Sequence, residues 1–308
     1  MSTSQQSWPP LPLEAWADTQ ATLHMWSQIV GKTRLALSPA ENHWWHIALY
    51  ATTRGLTTSP MPYRERTLEV ELDFLEHVLV ARTSDGASRS IPLAPRSVAD
   101  FYEEYRGLLR SLGVECSIVP RPVEVDPAVP FLQDTGHAAY DAEAVSRWWR
   151  ATALADRAFK RFRGRFQGKA SPSHFFWGSF DLATTRFSGR PAPRHPGGAP
   201  NTPNEVMVEA YCCECASAGF WPGAGLGEAA FYAYSYPEPA GYAAAAVRPE
   251  GAYYHPDLHE FILPYEAVRA AAAPEQTLLE FLQSTYEIAA DLAKWDRAQL
   301  DRPREVWP

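Results

Sequence analysis

The chain has 308 residues, of which 46% are hydrophobic and 21% are charged, so it can form a large core and is not a disordered protein. Its net charge of −8 and its pI near 5.6 argue against nucleic acid as a partner, because phosphate contacts need clustered Lys and Arg. No run of about 18 apolar residues and no secretory segment is visible, so we expect a cytoplasmic protein without a membrane partner.

The predicted elements begin after a polar, proline-containing arm at residues 1–12. Polar and apolar residues alternate over 22–37 and again over 42–54, and this period of two predicts two β-strands. The short connection SPAE between them predicts a hairpin. Two further strands are predicted at 67–74 and 77–83.

Three segments carry apolar residues at helical spacing, which predicts α-helices at 97–112, 142–165 and 274–294. Ser97 begins the first segment and Asp141 precedes the second, and both are typical N-capping residues.

A second series of strands is predicted in the C-terminal part of the chain, at 173–188, 206–217, 229–236 and 258–263. The segment 242–247 is a weaker candidate for a strand.

The order of these elements predicts an α+β fold with two weakly similar halves, each made of several mostly antiparallel strands followed by a helix. The similar segments IPLAPRSVADFYEEYRGLL and FILPYEAVRAAAAPEQTLLEFL suggest an internal duplication. The N-terminal half spans 13–115, a linker and connecting helix span 116–170, and the C-terminal half spans 171–308. We expect the halves to pack as one globular unit.

One face of the first predicted hairpin is polar and aromatic at once. It carries Trp26 and Trp44 together with His24, Gln28, Lys32, Arg34, Asn42 and Arg54. Tryptophan is unusual on a wet face, and charged groups in a dry core need partners. The pattern therefore predicts a partly filled pocket. The alternative is that the helix at 142–165 covers this face and that its polar groups make structural hydrogen bonds.

The segment SHFFWGSFDLATTRFSGRPAPRH supplies the other half of the predicted site. In one continuous strand, Trp177, Ser179 and Asp181 share a face, whereas His174 and Arg186 lie on the opposite face. This strand therefore needs the first half of the chain to complete a site. His195 follows in the long loop 189–204, which is either a lid that closes over an anionic ligand or a flexible crossing between strands.

Metal and cofactor signals are weak. The segment EAYCCEC offers Cys213 and Glu214 as candidate ligands, but the second cysteine pair of a typical structural zinc site is missing. Cysteines buried in a strand are the alternative. The sequence has no phosphate-binding loop, no dinucleotide glycine motif and no G-x-S-x-G motif, and it specifies no cofactor.

Three long segments resemble one bacterial family. They are WPPLPLEAWADTQATLHMWSQIVGKTRLALSPAENHWWHIALYATTRGLTTSPMPY, SPSHFFWGSFDLATTRFSGRPAPRHPGG and SAGFWPG. They resemble domain-of-unknown-function family 5996, and the resemblance extends from about residue 7 to 296. It implies kinship and brings no activity, cofactor or catalytic residue.

The residues predict binding or conversion of a small polar, anionic organic molecule between the two halves. His24, His174 and Asp181 would move protons, and Arg34, Arg54 and Arg186 would hold the anionic groups. The ligand would also contact Trp26, Gln28, Lys32, Asn42, Trp44, Trp177 and His195. A non-catalytic scaffold with a Trp-rich core and a metal-dependent enzyme remain as alternatives, and the sequence leaves open whether the protein is a homo-oligomer.

Overall fold

Two antiparallel β-sheets with helices around them form the fold, which a computed structural model describes for residues 8–307. The first sheet has the order β1-β2-β4-β5-β6, with β3 also paired to β4. Its strands are Tyr50–Ala51, Gly55–Thr57, Met61–Tyr63, Arg66–Asp73, Val78–Thr83 and Ser88–Pro92 for β1 to β6.

The second sheet has the order β11-β12-β10-β9-β8-β7, in which every neighbouring pair is antiparallel. Its strands are His174–Phe176, Asp181–Pro191, Cys213–Trp221, Ala230–Tyr236, Tyr253–His255 and Glu260–Pro264 for β7 to β12. Leu49, next to β1, pairs with Phe175 in β7 through two backbone hydrogen bonds of 2.8 and 2.9 Å. This pair joins the two sheets edge to edge.

Seven α-helices accompany the sheets in the described residues. They are Ala17–Leu37, Val98–Ser111, Ala142–Gly164, Asn204–Ala210, Tyr265–Arg269, Pro274–Leu292 and Arg297–Leu300 for α1 to α7. The central helix α3 packs against α1, α6 and β8, and one continuous apolar core includes side chains from both sheets. None of the helices in residues 8–307 combines the length and the apolar character needed to cross a bilayer.

The α+β class and the antiparallel sheets followed by helices are as predicted from the sequence. The helices α2, α3 and α6 lie where the helical spacing predicts them, and the side chains of Ser97 and Asp141 accept capping hydrogen bonds from backbone N–H groups. Each sheet is also preceded by a long helix, α1 or α3. The internal duplication stays a prediction.

The strand predicted at 22–37 is wrong, because these residues belong to helix α1. The helix is buried on most sides, including at Gln28, Lys32 and Arg34. A helix covered all round does not show the 3.6-residue period of a surface helix, so polar and apolar residues can alternate by chance. The hairpin is wrong as well, because residues 42–47 form a short 3-10 helix that is kinked at His43 and Trp44, and strand structure begins only at Tyr50.

Two other predicted strands are corrected. The segment 173–188 is a hairpin, in which β7 and β8 are joined by a turn at 177–180 with Phe180 at a φ of 60°. The segment 206–217 begins as helix α4 and becomes strand β9 only at Cys213. The weaker candidate at 242–247 contains a 3-10 helix instead of a strand.

The predicted arm lies partly outside the described residues, which begin at Trp8. Trp8 is only 4% exposed, and its ring lies 5.9 Å from that of Phe231 and 5.8 Å from that of Tyr265. This part of the predicted arm is therefore packed on the protein.

Candidate functional site

A cavity of about 570 Å³ lies over one face of the second sheet, between that sheet and elements from the N-terminal part of the chain. This volume is within the range of about 300–1,000 Å³ that is usual for sites of small organic ligands. Its walls come from α1, the 3-10 helix Asn42–Ile47, a segment at 124–125, helix α4 and the strands β8, β9, β10 and β12.

The floor of the cavity follows from the two-residue period of the strands. Every second side chain of β8, from Asp181 to Phe187, faces the cavity, and the same holds for Cys215 and Ser217 in β9 and for two tyrosines in β10. The floor residues are Asp181, Ala183, Thr185, Phe187, Cys215, Ser217, Tyr232 and Tyr234. The intervening residues of β8, such as Arg186, point to the opposite face.

Asp181 is the most enclosed carboxyl group of the floor. It is 6% exposed and accepts hydrogen bonds from the hydroxyl groups of Ser179 and Tyr232. Tyr232 reaches it across β9 because Gly219 has no side chain there: a Cβ atom at this position would lie 2.3 Å from the tyrosine hydroxyl. Burial raises the pKa of Asp181, and the two hydroxyl donors oppose that shift.

Two glutamates bring further acidic groups to the same cavity. Burial, together with the nearby charge of Asp181, raises the pKa of Glu124 to about 7 and that of Glu260 to about 8. Glu124 is exposed as a whole residue and also lines the cavity. No Lys or Arg is among the residues of 8–307 that line the cavity, so these three carboxyl groups have no cationic neighbour in its wall.

His24 forms part of the opposite wall, on α1. Its Nε2 lies 2.8 Å from the carbonyl oxygen of Gly178, and burial lowers the pKa of the imidazole to about 4, so the ring is neutral near pH 7. One turn further along α1, Gln28 donates to the carbonyl oxygen of Val123 and accepts from its N–H, both at 2.9 Å. Gln28 thereby ties the segment that carries Glu124 to α1.

His43 and Trp44 line the cavity from the short 3-10 helix with unusual backbone conformations. Their φ angles are 58° and 61°, in the left-handed region that costs an L-residue roughly 1–2 kcal/mol. Two such residues in succession are rare outside glycine-containing turns, and strained backbone is commonly found at functional sites.

Three of the residues predicted from sequence come together at the cavity, namely His24, Trp44 and Asp181. Gln28 lies directly behind this wall through its contacts with His24 and Val123. The site thus combines elements from both parts of the chain. The roles assigned to these residues stay predictions.

The predicted arginine contacts are not at the cavity. Arg186 is 1% exposed on the other face of β8, where its guanidinium carbon lies 3.5 Å from the ring centre of Phe162 and 4.2 Å from that of Tyr286. Arg34 is buried and donates to the carbonyl oxygen of Thr58, and half-buried Arg54 pairs with Asp73 at 2.5 Å.

Trp26 is a core residue, stacked on Phe101 with ring centres 4.5 Å apart. Lys32 is buried with its ammonium 5.5 Å from the ring centre of Trp177, and burial lowers its pKa to about 8. Asn42 is exposed and does not line the cavity. These side chains do not share one polar face, because the predicted hairpin does not exist.

His174 and Trp177 are close to the cavity without lining it. The hairpin register pairs His174 with Ala183, a cavity residue, so His174 lies on the cavity side of the sheet. One continuous strand would have placed His174 on the opposite face, together with Arg186. Trp45, which lines the cavity, packs against this fully buried imidazole at 5.4 Å. Trp177 is buried and donates from Nε1 to the carbonyl oxygen of Ile47 at 2.8 Å.

The remaining predicted residues lie at or beyond the rim. His195 stacks on Tyr211, a cavity residue, with ring centres 4.7 Å apart. Glu214 forms an ion pair of 2.6 Å with Arg190. Cys213 is half-buried, and its thiol lies 3.6 Å from that of Cys212.

Sequence reasoning missed Glu124, Glu260 and the tyrosines 211, 232 and 234. A signal for two of them was present, because AFYAYSY in β10 alternates tyrosine with small residues, which is typical of a strand with an aromatic face. Glu124 sits in an irregular loop at a φ of 57°, and no local pattern places such a residue.

These features define an α+β protein with a carboxyl-rich, aromatic cavity that is built from both parts of the chain. The chain belongs to the family of unknown function DUF5996, whose family model matches residues 8–302. Neither a curated protein nor a solved structure matched it.

Proposed function

We propose that the protein binds a small organic molecule in this cavity, through an amine or another cationic group that faces Asp181, Glu124 and Glu260. The observation that carries the proposal is the wall itself, which combines three carboxyl groups with aromatic rings and contains no Lys or Arg among the described residues. A carboxylate hydrogen bonds strongly to an ammonium group, and aromatic faces attract cations.

The acidic wall changes the ligand class predicted from sequence. An anionic molecule would meet three acidic groups, while Arg34, Arg54 and Arg186 make their contacts elsewhere. A cationic group would instead favour the ionised forms of Glu124 and Glu260 and so lower their raised pKa values. The open cavity also favours a ligand-binding role over a scaffold with a filled core.

A matched series of ligands tests the charge preference. Each carbon skeleton carries an amine, a hydroxyl group or a carboxylate, and binding is measured by thermal shift and calorimetry. We expect the amines to stabilise the protein, by about 2.7 kcal/mol at a ligand concentration 100 times the Kd, and the carboxylates to have no effect.

Variants connect the binding to the cavity. Asp181→Asn and Glu124→Gln should weaken amine binding about tenfold or more, because each removes a charge-assisted hydrogen bond. Glu280→Gln is the control, because Glu280 is exposed on α6 and lies outside the cavity wall. Stronger binding of the carboxylates, or equal effects of all three variants, would contradict the proposal.

Proton transfer to or from the bound molecule is a second candidate, favoured by the pKa of Glu124 at about 7. Glu260, with a pKa of about 8, lines the same cavity and is a second group that could exchange a proton there. Amines found to bind are incubated with the protein, and products are sought by mass spectrometry. Glu124→Gln should abolish conversion even at amine concentrations that restore full binding. The absence of any product with the wild-type protein would reject this candidate.

A further inference from the structure

Three ligand atoms at the rim of the cavity lie close together in a group that the proposed amine site does not use. The Sγ atom of Cys212 is 3.6 Å from Sγ of Cys213 and 3.9 Å from Nδ1 of His43. All three atoms lie within 4.8 Å of one another, and no other group of three His, Cys, Asp or Glu in residues 8–307 comes as close.

The local fold explains why two adjacent cysteines can act together. Cys213 is the first residue of β9, whereas Cys212 still belongs to the turn after α4. The two-residue period of a strand therefore does not send their side chains to opposite faces. His43 reaches the pair from the other side because its left-handed backbone, with a φ of 58°, lies beside the end of α4.

The spacing of the three atoms is near that of a metal site. A tetrahedral zinc ion with Zn–S bonds of about 2.3 Å and a Zn–N bond of about 2.0 Å holds its sulfur atoms about 3.8 Å apart and a sulfur and a nitrogen about 3.5 Å apart. We propose that His43, Cys212 and Cys213 bind a thiophilic divalent cation of the zinc type, with the fourth position open.

The donor set also selects the kind of metal. Two thiolates and one imidazole suit Zn²⁺ and disfavour Mg²⁺ and Ca²⁺, which prefer oxygen ligands. Two thiolates would offset the charge of a divalent ion. Cys212 is exposed, so an ion can reach the group from solvent.

Lys169 is a neighbouring cation whose contact with His43 disfavours metal binding. Its Nζ lies 2.8 Å from Nε2 of His43, while Nδ1 of the same ring lies 3.0 Å from the carbonyl oxygen of Ala210. This arrangement places the ring proton on Nδ1, so metal binding requires the proton to move to Nε2 and the ammonium to turn away. Lys169 is exposed, which permits that movement.

Cobalt and zinc titrations of the reduced full-length protein test the site. Co²⁺ reports its own ligands, because thiolate coordination produces charge-transfer absorption and a tetrahedral field produces intense visible bands. We expect both signals, and we expect Zn²⁺ to displace Co²⁺ with 1:1 stoichiometry. Absence of the thiolate signal would overturn the proposal.

Variants separate this site from adventitious binding. Cys212→Ser, Cys213→Ser and His43→Asn should each weaken Co²⁺ binding at least about 100-fold, since each removes a direct ligand. Asparagine is chosen at 43 because it tolerates the left-handed backbone. Lys169→Met should strengthen binding, and Cys116→Ser should leave it unchanged because Cys116 lies outside the group. Far-UV circular dichroism checks the fold of each variant, and wild-type affinity in a folded Cys212→Ser, Cys213→Ser double variant would refute the site.

Discussion

Gly31, in the middle of α1, lies directly beneath the ring of Trp177. A Cβ atom at this position would come within 2.1 Å of the indole, closer than any side chain can tolerate. The indole is fixed by the hydrogen bond from its Nε1 to the carbonyl oxygen of Ile47, and this nitrogen belongs to the same edge of the ring that lies over Gly31. The close approach of helix and ring therefore requires glycine.

We predict that Gly31→Ala destabilises the protein by about 1–3 kcal/mol, the usual cost of overpacking a core. Helix propensity alone predicts the opposite sign, a gain of up to about 1 kcal/mol. Gly107→Ala in α2 is the matched control, because its Cβ atom would meet only the end of Arg110, at 3.9 Å. Urea denaturation measures both, and a stabilised Gly31→Ala would show that the indole does not rest on this glycine.

The raised pKa values of two glutamates predict a pH dependence of stability. The folded pKa is about 7 for Glu124 and about 8 for Glu260, against 4.5 for an ordinary glutamate. An acid with a raised folded pKa contributes stability that is full below its unfolded pKa and is lost as pH rises through the folded pKa. The wild-type protein should therefore lose stability relative to a Glu124→Gln, Glu260→Gln variant between about pH 4.5 and pH 8.

Melting temperatures at several pH values across that window measure the difference. The two proteins should be closest in stability at the acidic end, where the glutamates are protonated in both the folded and the unfolded states. Parallel curves for the two proteins would mean that neither glutamate has a raised pKa.

At the scale of elements, the segment at 123–125 is attached to α1 through one side chain. Gln28 makes two hydrogen bonds to the backbone of Val123, next to Glu124, besides its contact of 3.1 Å with Nε2 of His24. The next residue is held by the loop after β8, because the N–H of Glu124 donates to the carbonyl oxygen of Pro200 in that loop. The position of one cavity wall therefore depends on Gln28.

We predict that Gln28→Leu costs about 2–3 kcal/mol, since it leaves the N–H and the carbonyl group of Val123 without these partners. Gln28→Glu should recover part of this loss only at low pH, because a protonated carboxyl group can make both contacts, whereas the ionised form places a buried charge against the carbonyl oxygen of Val123. Hydrogen exchange should show faster opening at 121–126 in the leucine variant. Unchanged exchange there would indicate that Pro200 alone holds the segment.

Sequence patterns predicted the surface elements well and the buried ones poorly. Helices α2 and α3 each have one wet face and a capping residue, so their period and their first residue are visible in the sequence. Helix α1 has neither, since it is buried on most sides and no side chain caps its start. Ser38 and Pro39, which end it, were the available signal, because proline is common just after a helix.

The same difference applies to the site. Asp181, His24 and Trp44 were predicted because their residue types stand out in local patterns, whereas their grouping with Glu124 and Glu260 depends on sheet order and a loop. Arg186 stood out equally but serves the core, where aromatic rings surround its guanidinium group. Residue type alone does not distinguish a polar residue of the cavity from a polar residue buried in the core.

For the whole molecule, the continuous core and the Leu49–Phe175 pair predict that the two halves unfold together. We expect tryptophan fluorescence and far-UV circular dichroism to report one coincident transition in urea. Two separated transitions would show that the halves are independently stable domains.

The Leu49–Phe175 pair also matters while the chain is being made. The edge of the first sheet beside β1 receives its partner from a residue 126 positions later, so a ribosome must complete the whole first half and helix α3 before that edge is covered. An uncovered strand edge is a template for pairing with other chains. The two-residue length of β1 limits that exposure, and the nascent chain would be most prone to misassembly just before β7 emerges.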